Sequence, residues 1–315
     1  MSYSTSPDWA DVEPIAQEDG DHPLAAIAYM DDYSEAMSYL RAVMAANEHS
    51  ERALVLTEDI ISMNPAHYTV WLFRAKTLFE LGSDLREELT YLNAIALKYQ
   101  KNYQIWHHRQ LIMEKLGDPT GEGKFIAQMF EKDAKNYHVW SYRQWLVRHF
   151  SLWDSPTELS DIQSLLLADV RNNSAWNHRF FLIFGRQEQY PSFTPLPETV
   201  KRETEYAKTA VYSAPQNPCP WVFLRGILKK TKQPLSTIQS FAAEFAPFER
   251  PDEVKSSHAL DVLADIFAET EGRKEDAVKV LDLLAQRYDP IRANYWRYKK
   301  ARLTPIPMAT TAAAA

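Results

Sequence analysis

Five tryptophans, Trp71, Trp106, Trp140, Trp176 and Trp221, recur at spacings of 35, 34, 36 and 45 residues, and the text around each repeats with them. The surrounding strings read HYTVWLFR, NYQIWHHR, NYHVWSYR, NNSAWNHR and NPCPWVFLR. Arginine follows tryptophan by three positions in the first four copies, at Arg74, Arg109, Arg143 and Arg179, and by four in the fifth, at Arg225. Asparagine precedes it by four positions in copies two to five, at Asn102, Asn136, Asn172 and Asn217. NYWRYKK at 294–300 reads as a degenerate sixth copy. A period of about 34 residues belongs to helical-hairpin arrays, in which no single unit can bury its own apolar face.

Local signals agree with helices between the motifs. Leu85, Leu89, Leu92 and Ile95 fall at helical spacing. Ser155-Pro156-Thr157-Glu158 reads as an N-cap serine, a first-turn proline and a capping-box glutamate. Glycine is scarce, at 8 residues, and strand-like alternation is nearly absent, so the expected fold is all-α: a right-handed superhelix of hairpins. The prolines at 191–197 and 215–220 punctuate that pattern.

Charge is unevenly spread. The net charge is −7, yet residues 1–40 hold nine acids and no lysine or arginine, which leaves the rest near neutral. That balance argues against a nucleic-acid partner. No apolar run approaches a membrane span of about 18 residues, and the polar, acidic start lacks a basic-then-apolar signal pattern, so a cytoplasmic location is expected. The single cysteine, Cys219, excludes an internal disulfide framework and reads as a packed thiol. The expected organisation is an acidic N-terminal segment over 1–40, a repeat domain over 41–303 and a flexible tail over 304–315.

Within the motif, tryptophan and the arginine after it share a helix face, and stacking of the pair is expected, with the arginine head on backbone carbonyls of a neighbour. The asparagine stands where an N-cap belongs. The residues before it are less easily explained by stacking. Lys101, Lys135 and Arg171 place cations at helix N-termini, where the dipole disfavours them. Two readings stay open on the residues alone: an exposed loop cation with no task, or half of an anion site completed by free amides. Tyr68, Tyr103 and Tyr137 add a row of aromatic hydroxyls one position further on.

No complete catalytic constellation is visible. Asp31-Asp32-Tyr33-Ser34-Glu35 is one loose copy of an aspartate-rich metal–diphosphate pattern and is set aside. His107 and His108, being adjacent, point about 100° apart on a helix and are poor partners for one metal. Either the chain is a binding scaffold, or it supplies part of a site that another subunit completes.

The repeat NYxxWxxR, with KNYQIWHHR and AKNYHVWSYRQW in succession, resembles the family of α subunits shared by protein farnesyltransferase and protein geranylgeranyltransferase type I. The resemblance runs from Trp9-Ala10-Asp11 through DVRNNSAWNHR at 169–179 and WVFLRGIL at 221–228 to DPIRANYWRYKK at 289–300. It implies a crescent of hairpins around a β subunit that carries catalytic zinc. That partnership transfers a farnesyl or geranylgeranyl group from its diphosphate to the cysteine of a C-terminal Cys-a-a-X motif, as in Ras- and Rho-type GTPases, with magnesium accompanying the diphosphate in the farnesyl reaction. By the same resemblance Lys101 is the diphosphate-contacting lysine, Tyr137 lies near the diphosphate, Tyr103 lies beside isoprenoid and peptide, and Gln104 holds the peptide carboxylate. Tyr68 contacts the peptide, and Asn136 and His138 line the same interface. His67 departs from the family pattern, which commonly has asparagine there. Two alternatives remain: a helical-repeat adaptor without chemistry, and the α subunit of the Rab-type transferase.

Overall fold

The protein's structure, a computed structural model, describes residues 2–25 and 27–303. The expected C-terminal tail at 304–315 lies outside the described residues. Described helices follow one another without an intervening strand, in two compact units that divide after Ser151.

The first unit opens with α1 (Asp31–Ala45) and continues as three hairpins: α2 (Glu51–Met63) with α3 (Tyr68–Leu81), α4 (Leu85–Lys98) with α5 (Tyr103–Leu116), and α6 (Glu122–Lys132) with α7 (Tyr137–His149). Its acidic lead-in is partly docked. The rings of Tyr3 and Trp9 pack on Tyr39, the Tyr3 hydroxyl donates to Asp59 at 2.7 Å, and Arg52 pairs with Asp11.

The second unit holds α8 (Pro156–Ala168) with α9 (Asn173–Phe184), a short α10 (Arg186–Gln189), α11 (Pro197–Ser213) with α12 (Pro218–Lys230), α13 (Gln239–Phe245) with α14 (Ser257–Glu269), and α15 (Lys274–Leu283) with α16 (Ala293–Ala301). The long spacing from Trp176 to Trp221 is taken up by α10, by the proline-punctuated link after it and by the 17-residue α11. The sixth stacking helix is α14, which carries no tryptophan, so NYWRYKK on α16 is one hairpin later than its expected place.

Each tryptophan anchors the turn before its own helix. The indole N–H of Trp71, Trp106, Trp140, Trp176 and Trp221 donates to the carbonyl six residues earlier, at 2.8–3.3 Å. The asparagines are N-caps, accepting one or two backbone amides in the first turn. Asn136 and Asn217 also bind backward across the hairpins: Asn136 Nδ2 donates to Gln100 O at 3.2 Å and Asn217 Nδ2 to Val170 O at 2.8 Å. In α14 the cap Ser256 takes over this task and donates to Pro215 O at 2.6 Å.

The arginine heads differ from the expectation. Arg74, Arg109 and Arg179 reach buried glutamates of the following hairpin, Glu88, Glu122 and Glu203, through two N–H groups each. Arg74 also donates to a backbone carbonyl, Leu54 O at 3.1 Å, as expected. Their aromatic partners are not the motif tryptophans but Tyr91, Phe125 and Tyr206, each three residues after its glutamate and so on the same helix face. The planar fork matches a carboxylate, and a buried charge without such a match would be costly. Ser155 sits at the expected cap position of α8, but its hydroxyl meets Thr157 Oγ1, while buried Glu158 bonds His178 Nε2 at 3.1 Å instead of closing a capping box.

Candidate functional site

In the first unit the N-terminal ends of α3, α5 and α7 present a row of side chains to solvent. Tyr68, Tyr103 and Tyr137 each occupy the first helical position after the cap and are 63%, 67% and 68% exposed. The tryptophans of the same motifs are buried, so these hydroxyl-bearing rings form the outward face of the repeat.

Lys101 immediately precedes the Asn102 cap of α5, and its side chain is 78% exposed. Its backbone, by contrast, is tightly held. The carbonyl of Gln100 accepts from Trp106 Nε1 at 3.3 Å and from Asn136 Nδ2 at 3.2 Å. The peptide that leads into Lys101 is thus held by donors from α5 and α7, while the ammonium is exposed. It lies 3.7 Å from Asp133 Oδ2.

The ring of His138 packs against both neighbouring phenols. Its imidazole meets Tyr103 edge-on at 4.4 Å between centroids and Tyr137 at 5.6 Å. Partial burial pushes its pKa below the ordinary histidine value, with the nearby Lys101 carbonyl opposing. The neutral ring is therefore the resting form near pH 7.

Asn136 is buried, its Oδ1 accepting from His138 N and Val139 N while its Nδ2 holds Gln100 O. Its polar atoms are engaged inside the fold. Gln104 and Tyr68 stand one groove over, lining a cleft of about 230 Å³ between α3 and α5 with Trp71, Leu72, His107 and Leu111. The seven residues expected at the site thus form two neighbouring groups: Lys101, Tyr103, Asn136, Tyr137 and His138 in one, Tyr68 and Gln104 in the other.

A cation, phenol hydroxyls and a carboxamide on a rigid rim can hold an anion and an acyl or carboxylate group. They cannot by themselves activate a nucleophile. Among the described residues no group of three or more His, Cys, Asp or Glu side chains is placed to hold a metal ion. No described helix is long and apolar enough to cross a membrane. Cys219 is buried, its Sγ 3.9 Å from Arg171 O, which is the setting of a packed thiol. The residue missed by sequence reading is Asp133. The string Asp-Ala-Lys-Asn that holds it reads as a turn, and nothing local says that its carboxylate faces a lysine of the previous hairpin.

Known proteins share this layout. A family model described as protein prenyltransferase alpha subunit repeat matches residues 50–81, 85–116, 119–150 and 155–185. Protein farnesyltransferase/geranylgeranyltransferase type-1 subunit alpha of Candida albicans is 38% identical over 95% of this chain and 98% of its own length. The protein of the same description from Dictyostelium discoideum is 37% identical, over 95% and 93%. Geranylgeranyl transferase type-2 subunit alpha of Mus musculus is 28% identical over 64% of this chain but only 38% of its own length. Among solved structures, Candida albicans protein geranylgeranyltransferase-I complexed with GGPP superposes with a TM-score of 0.86 at 37% identity, over 95% of this chain and 100% of that one.

Proposed function

The chain belongs to the protein prenyltransferase α-subunit repeat family, and we propose that it is the α subunit of a heterodimeric protein prenyltransferase of the farnesyl/geranylgeranyl type-1 class. The observation that carries the proposal is Lys101: a cation whose preceding carbonyl, Gln100 O, is held by two side-chain donors, with its ammonium exposed and its repeat neighbours Tyr103 and Tyr137 exposed as well. Near-full-length identity to type-1 α subunits, against partial coverage of the type-2 relative, favours the first class over the Rab type.

In the reaction a substrate thiolate forms a bond to C1 of the isoprenoid as the C1–O bond breaks and diphosphate departs. Charge builds on the leaving oxygens, and a cation already in place stabilises that charge more than the ground state. Lys101 would supply it, with the Tyr137 hydroxyl donating nearby. Tyr103 and Tyr68 would flank isoprenoid and peptide, and the Gln104 amide would donate to the peptide's terminal carboxylate. Asn136 and His138 would hold the Lys101 turn at the same interface. Zinc we assign to the partner β subunit and magnesium to the diphosphate. In this reading 41–303 is the repeat domain that scaffolds the partner, 1–40 an acidic lead-in, and the complex works in the cytosol.

The test is Lys101→Ala in the heterodimer with a Cys-a-a-X peptide. Turnover should fall about 10²-fold while assembly survives. An unchanged rate would remove Lys101 from the chemistry and leave the adaptor reading. Activity that requires an escort protein, and is absent on the short peptide, would move the chain to the Rab type.

A further inference from the structure

Asp133 presents two oxygens with different tasks. Oδ1 accepts the Lys135 backbone N–H at 3.0 Å, closing the turn before α7. Oδ2 faces the Lys101 ammonium at 3.7 Å. That separation exceeds the ordinary length of a charge-assisted hydrogen bond, about 2.7–2.9 Å, so the pair is a loose contact that either partner can leave. The carboxylate is the fixed member, one-third exposed, and the lysine the mobile one.

The turn itself needs an acceptor and no charge. Before α9, Asp169 Oδ1 accepts the Arg171 N–H at 2.8 Å, and before α3 the neutral Asn64 Oδ1 does the same for Ala66 at 3.2 Å. An amide therefore serves at this repeat position. The negative charge at 133 is surplus to the turn and lies against the cation that the reaction uses.

We propose that Asp133 is a positioning residue: the resting counter-ion of Lys101, which holds the ammonium over the site when no diphosphate is bound and competes with the diphosphate for it afterwards. The inference rests on the diphosphate reading of Lys101. A carboxylate about 4 Å from the cation, in a site open to water, shifts an anion's affinity several-fold and no more. That is the scale of a device that limits retention of the diphosphate product, since release often sets the turnover of such enzymes.

The experiment uses the heterodimer, with inorganic diphosphate as the probe and Asp133→Asn as the variant, because asparagine keeps the turn acceptor. The inhibition constant of diphosphate should fall roughly three- to fivefold at low ionic strength, and the gap should narrow at high salt. The KM for peptide and the thermal midpoint should not move, and the effect should vanish in a Lys101→Ala background. An unchanged inhibition constant, the same fall without Lys101, or a lowered midpoint would each overturn the proposal. If Lys101→Ala alone alters neither turnover nor diphosphate inhibition, the reading beneath it fails; if Lys101→Ala weakens both and Asp133→Asn changes neither, only the counter-ion role fails.

Discussion

The Arg109 guanidinium grips the Glu122 carboxylate with two N–H groups, Nε to Oε2 at 2.8 Å and Nη2 to Oε1 at 2.5 Å, and both side chains are at least 95% buried. The Phe125 ring lies against the guanidinium at 3.7 Å, and the Tyr142 hydroxyl donates to the same carboxylate at 2.6 Å. One ion pair thus joins α5, α6 and α7. Glu88 does the same in the preceding hairpin, receiving Arg74 from α3 and His108 from α5. Apolar faces alone would allow hairpins to slide; a charge satisfied in one register only removes that freedom.

Removing one partner should therefore cost far more than removing both. Arg109→Met leaves Glu122 charged and buried with only the Tyr142 hydroxyl, and is expected to destabilise the first unit by about 3–5 kcal/mol. Arg109→Met with Glu122→Gln keeps an acceptor for Tyr142 without the charge, and should recover much of the loss. Urea midpoints of the two variants check this; equal loss in both would mean that packing, not charge, dominates.

His108 gives the fold an acid-side weakness. Burial pushes its pKa below the ordinary value of 6.5, with the bond to Glu88 only partly opposing. Its Nδ1 is buried without a partner, so a second proton would have no acceptor there. The unfolded chain binds that proton more readily, so stability from this group is full above about pH 6.5 and is lost as pH falls from there towards the folded value. His67, His138 and His258 are shifted in the same direction, each chiefly by burial. Thermal midpoints measured from pH 7.5 to 5.5 should drop in the wild type and drop less in His108→Gln, which keeps a donor for Glu88.

The hairpin array was legible because stacking repeats its own requirements: an indole to close the turn, an asparagine to cap, a period that survives in the text. The partners of the arginines were not. Glu88, Glu122 and Glu203 follow their arginines by 14, 13 and 24 residues, an interval stretched by loop length, and a glutamate inside a helix looks like any exposed one. The site divided in the same way. Exposed Tyr68, Tyr103 and Tyr137 announce themselves at one repeat position, whereas the Asp133–Lys101 contact depends on how one hairpin sits on the next.

Ser256 shows what that loss of pattern conceals, since α14 has neither the tryptophan nor the asparagine. Its hydroxyl accepts Ala259 N at 3.2 Å and donates to Pro215 O at 2.6 Å, covering both tasks of the missing asparagine. Ser256→Ala should cost about 1–2 kcal/mol from the cap alone. Ser256→Asn, which restores the residue of the other repeats, should lose less; a midpoint unchanged by the alanine would show that the sixth stack does not depend on its cap.

Asn136 joins the stability of the repeat to the position of the cation. Asn136→Ala removes the cap of α7, worth about 1–2 kcal/mol, and also the donor that holds Gln100 O. Trp106 still reaches that carbonyl, at 3.3 Å, so the turn loosens without opening. In the heterodimer, kcat for prenyl transfer should fall as Lys101 wanders, while the KM for peptide, which the proposed reading places one groove away at Gln104 and Tyr68, should stay. Asn136→Ser is the rescue arm, because Ser256 performs both tasks in α14: the cap and most of the thermal midpoint should return, and kcat should recover to the extent that the shorter side chain reaches Gln100 O. An Asn136→Ala complex that turns over at the wild-type rate, assayed well below its own midpoint, would separate the cap from the cation.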